Sequence, residues 1–433
     1  MHIRRVEIEN IRSVKHLVWE LPLDIWRRQN SYGKNLEGAG WHVVLGDNGL
    51  GKTSFLRGTA ICWLSFLNVI RAVQSEPAIL RIGEDFYRAE IIITIDKDFD
   101  TVTDFNGFPK IYDPNKNGSN YKFPEFKIEK KITRFAGGDS IDYETDISRT
   151  FFISFGHNRN FSKDNFSEEI KESNPSLFNQ IGIFQSLSYE GAISWILKLS
   201  HAKAEGDLDS ERNLENILNF INNTNILPEG CSISSVSSKG IFLKRGNGSE
   251  IPINQMSDGY LSVLSMVIEI LKQINKWFGF EKMFRGDDYT EIIVPGVVQI
   301  DEVDAHLHPS WQRRIGQWFK EHFPNMQFIV TTHSPLICWA ADSVFVLPTP
   351  GTDETGRFLT EEELNRVKYG SIQEAYMLDA FGEIGRSDEG QKKLVRLTEL
   401  NNKEWDGQLT EADKKELQEL RAALPLSALR MKG

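Results

Sequence analysis

The sequence predicts an α/β fold: a mixed sheet with an antiparallel β subdomain, a helical insertion and a helical C-terminal tail. Three observations carry this prediction. A buried-type strand, Trp41-His-Val-Val-Leu45, runs into a glycine-rich loop and then into apolar residues at helical spacing. Two further apolar strands, near residues 297 and 327, end on polar residues, as parallel strands do when their C-terminal ends face a site. Between them, alternating strand patterns broken by Gly, Asn, Asp and Pro read as antiparallel β structure.

In chain order, Ile3, Val6, Ile8 and Ile11 mark a strand-prone opening, and Trp41 to Leu45 the first buried strand. Phe55, Leu56, Ala60, Leu64, Leu67 and Ile70 predict a helix from Thr53 to about Val73. A β subdomain is expected over about 80–150, with strands at Glu90 to Ile95 and Phe126 to Ile132, followed by a short strand at Phe151 to Phe155. A polar, mostly helical insertion covers about 160–225, including Ala192 to Ala202 and Asn213 to Asn222. A hairpin at about Ser232 to Ile253 precedes a helix from about Tyr260 to Phe278, a strand Ile292 to Ile300 and a helix from about Trp311 to His322. Strands Gln327 to Thr331 and Ser343 to Leu347 close a head of residues 1–347. The tail, 348–433, is charged and helical, with Ile372 to Phe381 and Glu411 to Ala423 as its clearest helices.

Of the 433 residues, 40% are hydrophobic and 26% charged, the balance of a globular chain with a sizeable core. The net charge of −11 argues against a surface coated for nucleic acid, which needs clustered Lys and Arg. Nucleic acid therefore stays open only for one stretch, Tyr121 to Arg134, which also reads as a lysine-protected edge strand. Cys62, Cys231 and Cys338 are far apart and form no CxxC pair, so neither a disulfide framework nor a cysteine zinc site is expected. The longest apolar runs are too short to span a bilayer, and a cytoplasmic protein without membrane partners is expected.

The strongest motif is Gly46-Asp-Asn-Gly-Leu-Gly-Lys-Thr53, a full G-x-x-x-x-G-K-[ST] match between a strand and a helix. Glycines at 46, 49 and 51 let the backbone wrap phosphate, while amides of the loop, with Asn48 and Ser54 in it and at the helix start, face anionic oxygens. Lys52 is placed to reach the β- and γ-phosphates of ATP and Thr53 to bind Mg²⁺. Val297-Val-Gln-Ile-Asp-Glu302 is an apolar strand ending in two carboxylates; alone it would equally mark a helix start. Beside a phosphate loop, Asp301 can hold the Mg²⁺ shell and Glu302 polarise the attacking water.

Thr331-Thr-His333-Ser-Pro335 places a histidine where it could reach the γ-phosphate, although such a histidine is often structural. Met256-Ser-Asp-Gly-Tyr260, before a helix, offers a hydroxyl, a glycine and a helix N-terminus; Ser257 or Asp258 could equally be a plain N-cap. His306 and His308 share no helical face and lack a third ligand, so a metal role for them is not expected.

Phosphate loop, serine-glycine signature, Asp-Glu strand and histidine, in that order, resemble an ABC-type ATPase head. Ile8-Glu-Asn-Ile-Arg-Ser13 and Asp301-Glu-Val-Asp-Ala-His-Leu-His-Pro309 narrow the likeness to the RecF/OLD-like branch. That branch includes ATPase subunits of bacterial anti-phage systems of the PtuA and AriA kinds. The resemblance implies Glu302 as catalytic base, His333 as switch histidine, and Ser257 and Gly259 as a signature serving the ATP of a second copy in a head-to-tail dimer or higher oligomer. The sequence departs from transporter heads in Met-Ser-Asp-Gly-Tyr and in Leu307-His308, and Asn158 and Arg159 stand where a glutamine is usual. Fewer than a hundred residues without heptads separate Arg159 from the hairpin, unlike a long-armed SMC or Rad50 protein. About 86 residues follow Leu347 with no clear nuclease strand. The expectation is an ATPase switch acting on a separate effector, a nuclease or other toxin, without nuclease activity of its own; the alternative is a RecF-like DNA-repair clamp.

Overall fold

The computed structural model describes residues 2–27, 38–47, 49–61, 86–94, 101–103, 125–135, 138–143, 146–149, 151–156, 189–237, 240–286, 289–305, 307–348, 354–381, 388–405 and 409–423. The chain divides into two compact units, Met1–Ala375 and Tyr376–Gly433.

The first unit opens with β1 (His2–Ile11), β2 (Val14–Glu20), a short α1 (Leu23–Trp26), β3 (Gly40–Leu45) and α2 (Lys52–Ile61). It continues through β4 (Phe86–Thr94), β5 (Thr101–Thr103), β6 (Glu125–Phe135), β7 (Gly138–Tyr143), β8 (Asp146–Arg149) and β9 (Phe152–Phe155). Helices α3 (Tyr189–Ala204) and α4 (Leu208–Asn223) follow, then β10 (Ser232–Ser237), β11 (Gly240–Lys244), β12 (Glu250–Pro252) and α5 (Asp258–Phe278). Last come β13 (Gly296–Ile300), α6 (Pro309–His322), β14 (Met326–Thr332), β15 (Ser343–Val346), β16 (Arg357–Phe358), α7 (Glu361–Tyr369) and α8 (Ile372–Tyr376).

Two sheets set the architecture, a mostly parallel one and an antiparallel one. In the six-stranded sheet, ordered β16-β15-β3-β14-β13-β9, all neighbours are parallel except the edge pair β15–β16. β3, β13 and β14 are buried at every residue, which is why they read as mostly apolar runs and not as alternating ones. The antiparallel sheet, β2-β1-β4-β6-β7, takes in the opening strands as well as the predicted subdomain. Gln327 joins the two sheets: its side-chain carbonyl accepts from Ile3 N at 2.6 Å and its amide donates to Ile3 O at 2.7 Å. A buried amide bonded at both ends avoids the cost of an unpaired polar group.

α6 covers the parallel sheet with aromatics. Phe319 stacks on Trp41 of β3 at 5.8 Å and meets Phe328 of β14 at 4.6 Å, each ring contributing roughly 2–3 kcal/mol by burial. His42, buried in β3, is bonded through both ring nitrogens: Nδ1 meets Ser343 Oγ at 2.8 Å and Nε2 meets Gly38 O at 2.7 Å.

Several sequence-based boundaries shift. The strand expected from Ile292 begins at Gly296, and Ile292 forms only an isolated bridge to Phe284. Pro295 explains the shift, since it has no N–H to give a ladder. The helix expected over Ile372 to Phe381 is α8, ending at Tyr376, and a separate 3₁₀ turn, Asp379–Phe381. Buried Ala375, Leu378 and Phe381 recur every third residue, a spacing that suits 3₁₀ structure as well as α. The helix predicted from Thr53 begins at Lys52, and its expected extension past Ile61 lies outside the described residues, as do Cys62, Asn158 and Arg159.

The second unit contains α9 (Asp388–Trp405), not singled out from the sequence, and α10 (Glu411–Ala423). Leu397, Leu400, Leu417 and Leu420 form its core. Arg396 grips Glu416 through two bonds, Nε to Oε1 at 3.0 Å and Nη2 to Oε2 at 2.9 Å.

Candidate functional site: a phosphate loop and its carboxylate edge

The site follows from strand direction. Leu45 pairs with Thr332 across β3 and β14, and Val330 with Ile300 across β14 and β13. Three parallel strands therefore end side by side and deliver Gly46, Asp301 and His333 to one edge of the sheet, where ligands bind in open α/β sheets.

The phosphate loop leaves β3 and ends in the first turn of α2. Gly49 and Gly51 have φ of 84° and 99°, the left-handed region that costs a side chain strain. Gly51 has a second reason: a Cβ there would sit 2.6 Å from Val14 Cγ2 and 2.9 Å from Ser13 Oγ. The β1–β2 turn thus rests on the loop, which connects the predicted Ile8 to Ser13 segment with the site. Lys52 and Ser54 are buried. The Lys52 ammonium donates to Gly46 O at 2.7 Å and Asp47 O at 3.2 Å, and lies 2.6 Å from His333 Nε2.

Burial pulls the Lys52 amine below its usual 10.5, opposed by the charges of Glu302, Asp301, Asp304 and Asp47. Burial first, and then the Lys52 charge, push His333 below its usual 6.5, while Asp304, Glu302 and Asp47 push it up. A neutral His333 suits the geometry, because its Nε2 lone pair can then accept from the ammonium.

Asp301 is fully buried, and both its oxygens accept hydrogen bonds. Thr53 Oγ1 donates to Oδ2 at 2.7 Å, and Thr331 Oγ1 donates to Oδ1 at 2.6 Å. The same Thr331 hydroxyl accepts from the Glu302 N–H at 2.8 Å. Glu302 has φ of 46°, a left-handed backbone that non-glycine residues adopt at a cost and that clusters at functional sites. A hydroxyl and a carboxylate at 2.7 Å form a hard-oxygen pair of the kind that suits Mg²⁺, and Thr53 and Asp301 would hold it.

Further polar residues surround this edge. Thr332 Oγ1 donates to Asp304 Oδ1 at 2.5 Å. Ser334 Oγ donates to Gln312 Oε1 at 2.7 Å, and Gln312 Nε2 donates to Leu307 O at 2.9 Å. Asp304 is expected only at the site or its flank, and Thr331, Thr332 and Ser334 stand within the histidine motif without an assigned role; Gln312, beyond both motifs, carries no sequence signal.

The signature segment begins α5. Ser257 occupies the N-cap position with extended φ and ψ of −67° and 149°, but its side chain makes no capping bond. Neither does Asp258 cap the helix: it is the first helical residue. Ser257 is exposed and Gly259 half-buried in the first turn. The fold thus brings Gly46, Gly49, Gly51, Lys52, Thr53, Ser54, Asp301, Glu302 and His333 to one edge. Among the described residues no hydrogen bond ties Ser257 or Gly259 to them. Asn48 and His306 lie outside the described residues. His308 is the N-cap of α6, its Nδ1 accepting from Ser310 N at 3.3 Å. Among the described residues no group of three or more His, Cys, Asp or Glu could hold a metal ion, and no helix is long and apolar enough to cross a membrane.

Glycine loop, helix start and adjoining carboxylates define a P-loop ATPase head. The family model described as "AAA domain, putative AbiEii toxin, Type IV TA system" matches residues 42–338, well over half of the 433, and the chain belongs to this family of AAA-type ATPase domains. The chain is 35% identical over 97 residues to a retron Ec83 probable ATPase of Escherichia coli, a match covering 22% of this chain and 17% of that protein. It is 33% identical over 147 residues to the Septu protein PtuA of Bacillus thuringiensis, covering 34% of this chain and 35% of that one. These matches span no more than about a third of either relative. Among solved structures, an SMC head domain from Thermotoga maritima aligns with a TM-score of 0.43 at 13% identity, over 83% of this chain and 98% of that one. RecF bound to ATP aligns with a TM-score of 0.43 at 14% identity, over 83% and 99%.

Proposed function

We propose that the chain is an ATP-dependent molecular switch: two copies meet head to tail, each completing the other's nucleotide site, and hydrolysis releases them. The observation that carries this reading is the contrast at Ser257. It sits at a helix N-terminus with its hydroxyl capping nothing and exposed, a ready anion-binding device, while the phosphate loop is bonded to the carboxylate edge.

In this reading Gly46, Asn48, Gly49, Gly51, Lys52, Thr53 and Ser54 cradle the triphosphate, and Thr53 and Asp301 hold Mg²⁺, which would neutralise phosphate charge. Glu302 orients and deprotonates the attacking water. His333, neutral beside Lys52, donates its remaining ring N–H to the γ-phosphate, and Ser257 and Gly259 reach the γ-phosphate of the second copy. The similarity to retron and Septu ATPases supports placing the switch in anti-phage defence, governing a separate effector.

The test mixes two inactive variants. Ser257→Arg should bind ATP but not hydrolyse it, and Lys52→Ala should fail at its own loop. Mixed in equal amounts, about half of the dimers are mixed, and in each of these one of the two sites pairs a sound loop with a sound signature, so about a quarter of the activity should return. No return at any ratio, with mixed dimers demonstrated, would show that each chain hydrolyses alone.

A further inference from the structure

Between the two halves of the site lies the first turn of α6. Trp311, 2% exposed, meets the signature residue Tyr260 edge to face, with centroids 5.5 Å apart and ring planes at 89°. Arg314 covers the indole with its guanidinium carbon 4.6 Å from the centroid. The next residue, Gln312, bonds to the switch side instead. Its Oε1 accepts from Ser334 Oγ at 2.7 Å, and its Nε2 donates to Leu307 O at 2.9 Å and reaches Asp304 O at 3.5 Å. Thr332 to Asp304 adds a second strut between the same two loops.

Consecutive residues on a helix point about 100° apart, so one helical step can touch two different neighbours. Here those neighbours are the start of α5 and the pair of loops that follow Glu302 and His333. A single glutamine uses both ends of its amide to tie one loop to the other. Close-packed contacts of this kind pass a displacement on in place of absorbing it.

We propose that the Trp311–Gln312 step is a coupling element. It transmits the state of a protomer's own nucleotide loop, sensed at Ser334 beside His333, to the signature that the same protomer presents to the second copy. This inference rests on the composite-site reading above. Tyr260, Trp311, Gln312 and Ser334 act as positioning residues, not as groups that touch the reacting atoms.

A double-mutant cycle on kcat tests it. Tyr260→Leu removes the ring on the signature side and Ser334→Ala the hydroxyl on the switch side; each should lower kcat by about fivefold, the effect of one lost contact. ATP affinity of the single protomer should stay within about twofold, since neither residue belongs to the phosphate loop. If the step couples them, the double variant falls no lower than the worse single. Tyr260→Phe, which keeps the ring, should recover most of the Tyr260→Leu loss.

Independent packing contacts would instead multiply to a loss of about 25-fold, and that result overturns the proposal. A fall in ATP affinity parallel to kcat, or no recovery by Tyr260→Phe, overturns it as well. If Tyr260→Leu does not fold, Trp311→Phe takes its place in the same cycle with the same two outcomes. The Ser257→Arg and Lys52→Ala mixture separates the two levels. Failure there removes the composite site itself, whereas success there with a multiplicative cycle removes only the coupling.

Discussion

The carboxylate edge and the signature segment are built on opposite principles. At the edge, Lys52, Thr53, Asp301, Thr331, Glu302 and His333 are tied by bonds of 2.6–2.8 Å that the chain supplies by itself. At the start of α5, Ser257 holds the N-cap position without capping. An N-cap serine normally stabilises its helix by about 1 kcal/mol through that bond. A side chain that forgoes this local gain in an exposed position is available to an outside anion. The difference teaches that the phosphate-loop edge is preorganised within the chain, whereas the Ser257 hydroxyl is left uncommitted, as the composite site proposed above requires.

The sharpest way to break the contrast is Glu302→Gln. It removes the proposed base but keeps shape and the backbone bond to Thr331, so hydrolysis should fall by roughly a hundredfold to ten-thousandfold with ATP binding retained. Radiolabelled ATP turnover beside equilibrium binding measures both. Normal turnover would deny Glu302 its role. Lys52→Ala acts on binding instead: losing a charge-assisted contact should weaken ATP affinity by about 10–100-fold. Unchanged affinity would mean that the ammonium serves only Gly46 O, Asp47 O and His333.

Thr331→Val is a smaller change that probes preorganisation alone. It removes the hydroxyl that donates to the buried Asp301 and accepts from the Glu302 N–H, a cost of about 1–3 kcal/mol. Stability to denaturant should fall by that amount and kcat should fall with it, while Thr331→Ser should retain both. A valine variant as active and stable as wild type would show that the edge is not held by this hydroxyl.

What was legible in the sequence follows the same division. The phosphate loop could be read because its chemistry is contiguous, with Gly51 needed both for φ and for closeness to Val14. The paired strands could be read because burial on both faces leaves mostly apolar runs in place of alternation. The struts could not, because Thr332 to Asp304 and Ser334 to Gln312 join common polar residues that are 28 and 22 positions apart. Nothing local marks such partners. Strand β13 is shorter than the apolar pattern predicts, because Ile292, Ile293 and Val294 satisfy that pattern while Pro295 denies them the ladder. The antiparallel subdomain is legible over about 80–150 from its alternating strands, but nothing local shows that β1 joins it, pairing with β2 on one side and β4 on the other.

The smallest expected effect concerns pH, and it asks whether the preorganised half depends on a neutral histidine. His333 is shifted below its usual 6.5 by burial and then by Lys52, so the folded chain binds a proton there less readily than the unfolded chain. Between the folded value and 6.5 the unfolded state carries more protons, and stability therefore rises with pH across that window and falls as pH is lowered through it. His322 is also shifted below 6.5, chiefly by burial, so it adds a slope of the same sign. Comparing wild type with His333→Gln isolates the first contribution, because His322 is present in both. The thermal midpoint of the nucleotide-free protein should drop between pH 7 and pH 5 by roughly 1–2 °C more in wild type than in the variant. Equal slopes would mean that protonated His333 is accommodated beside Lys52, and the 2.6 Å contact would then be no constraint on the histidine's charge.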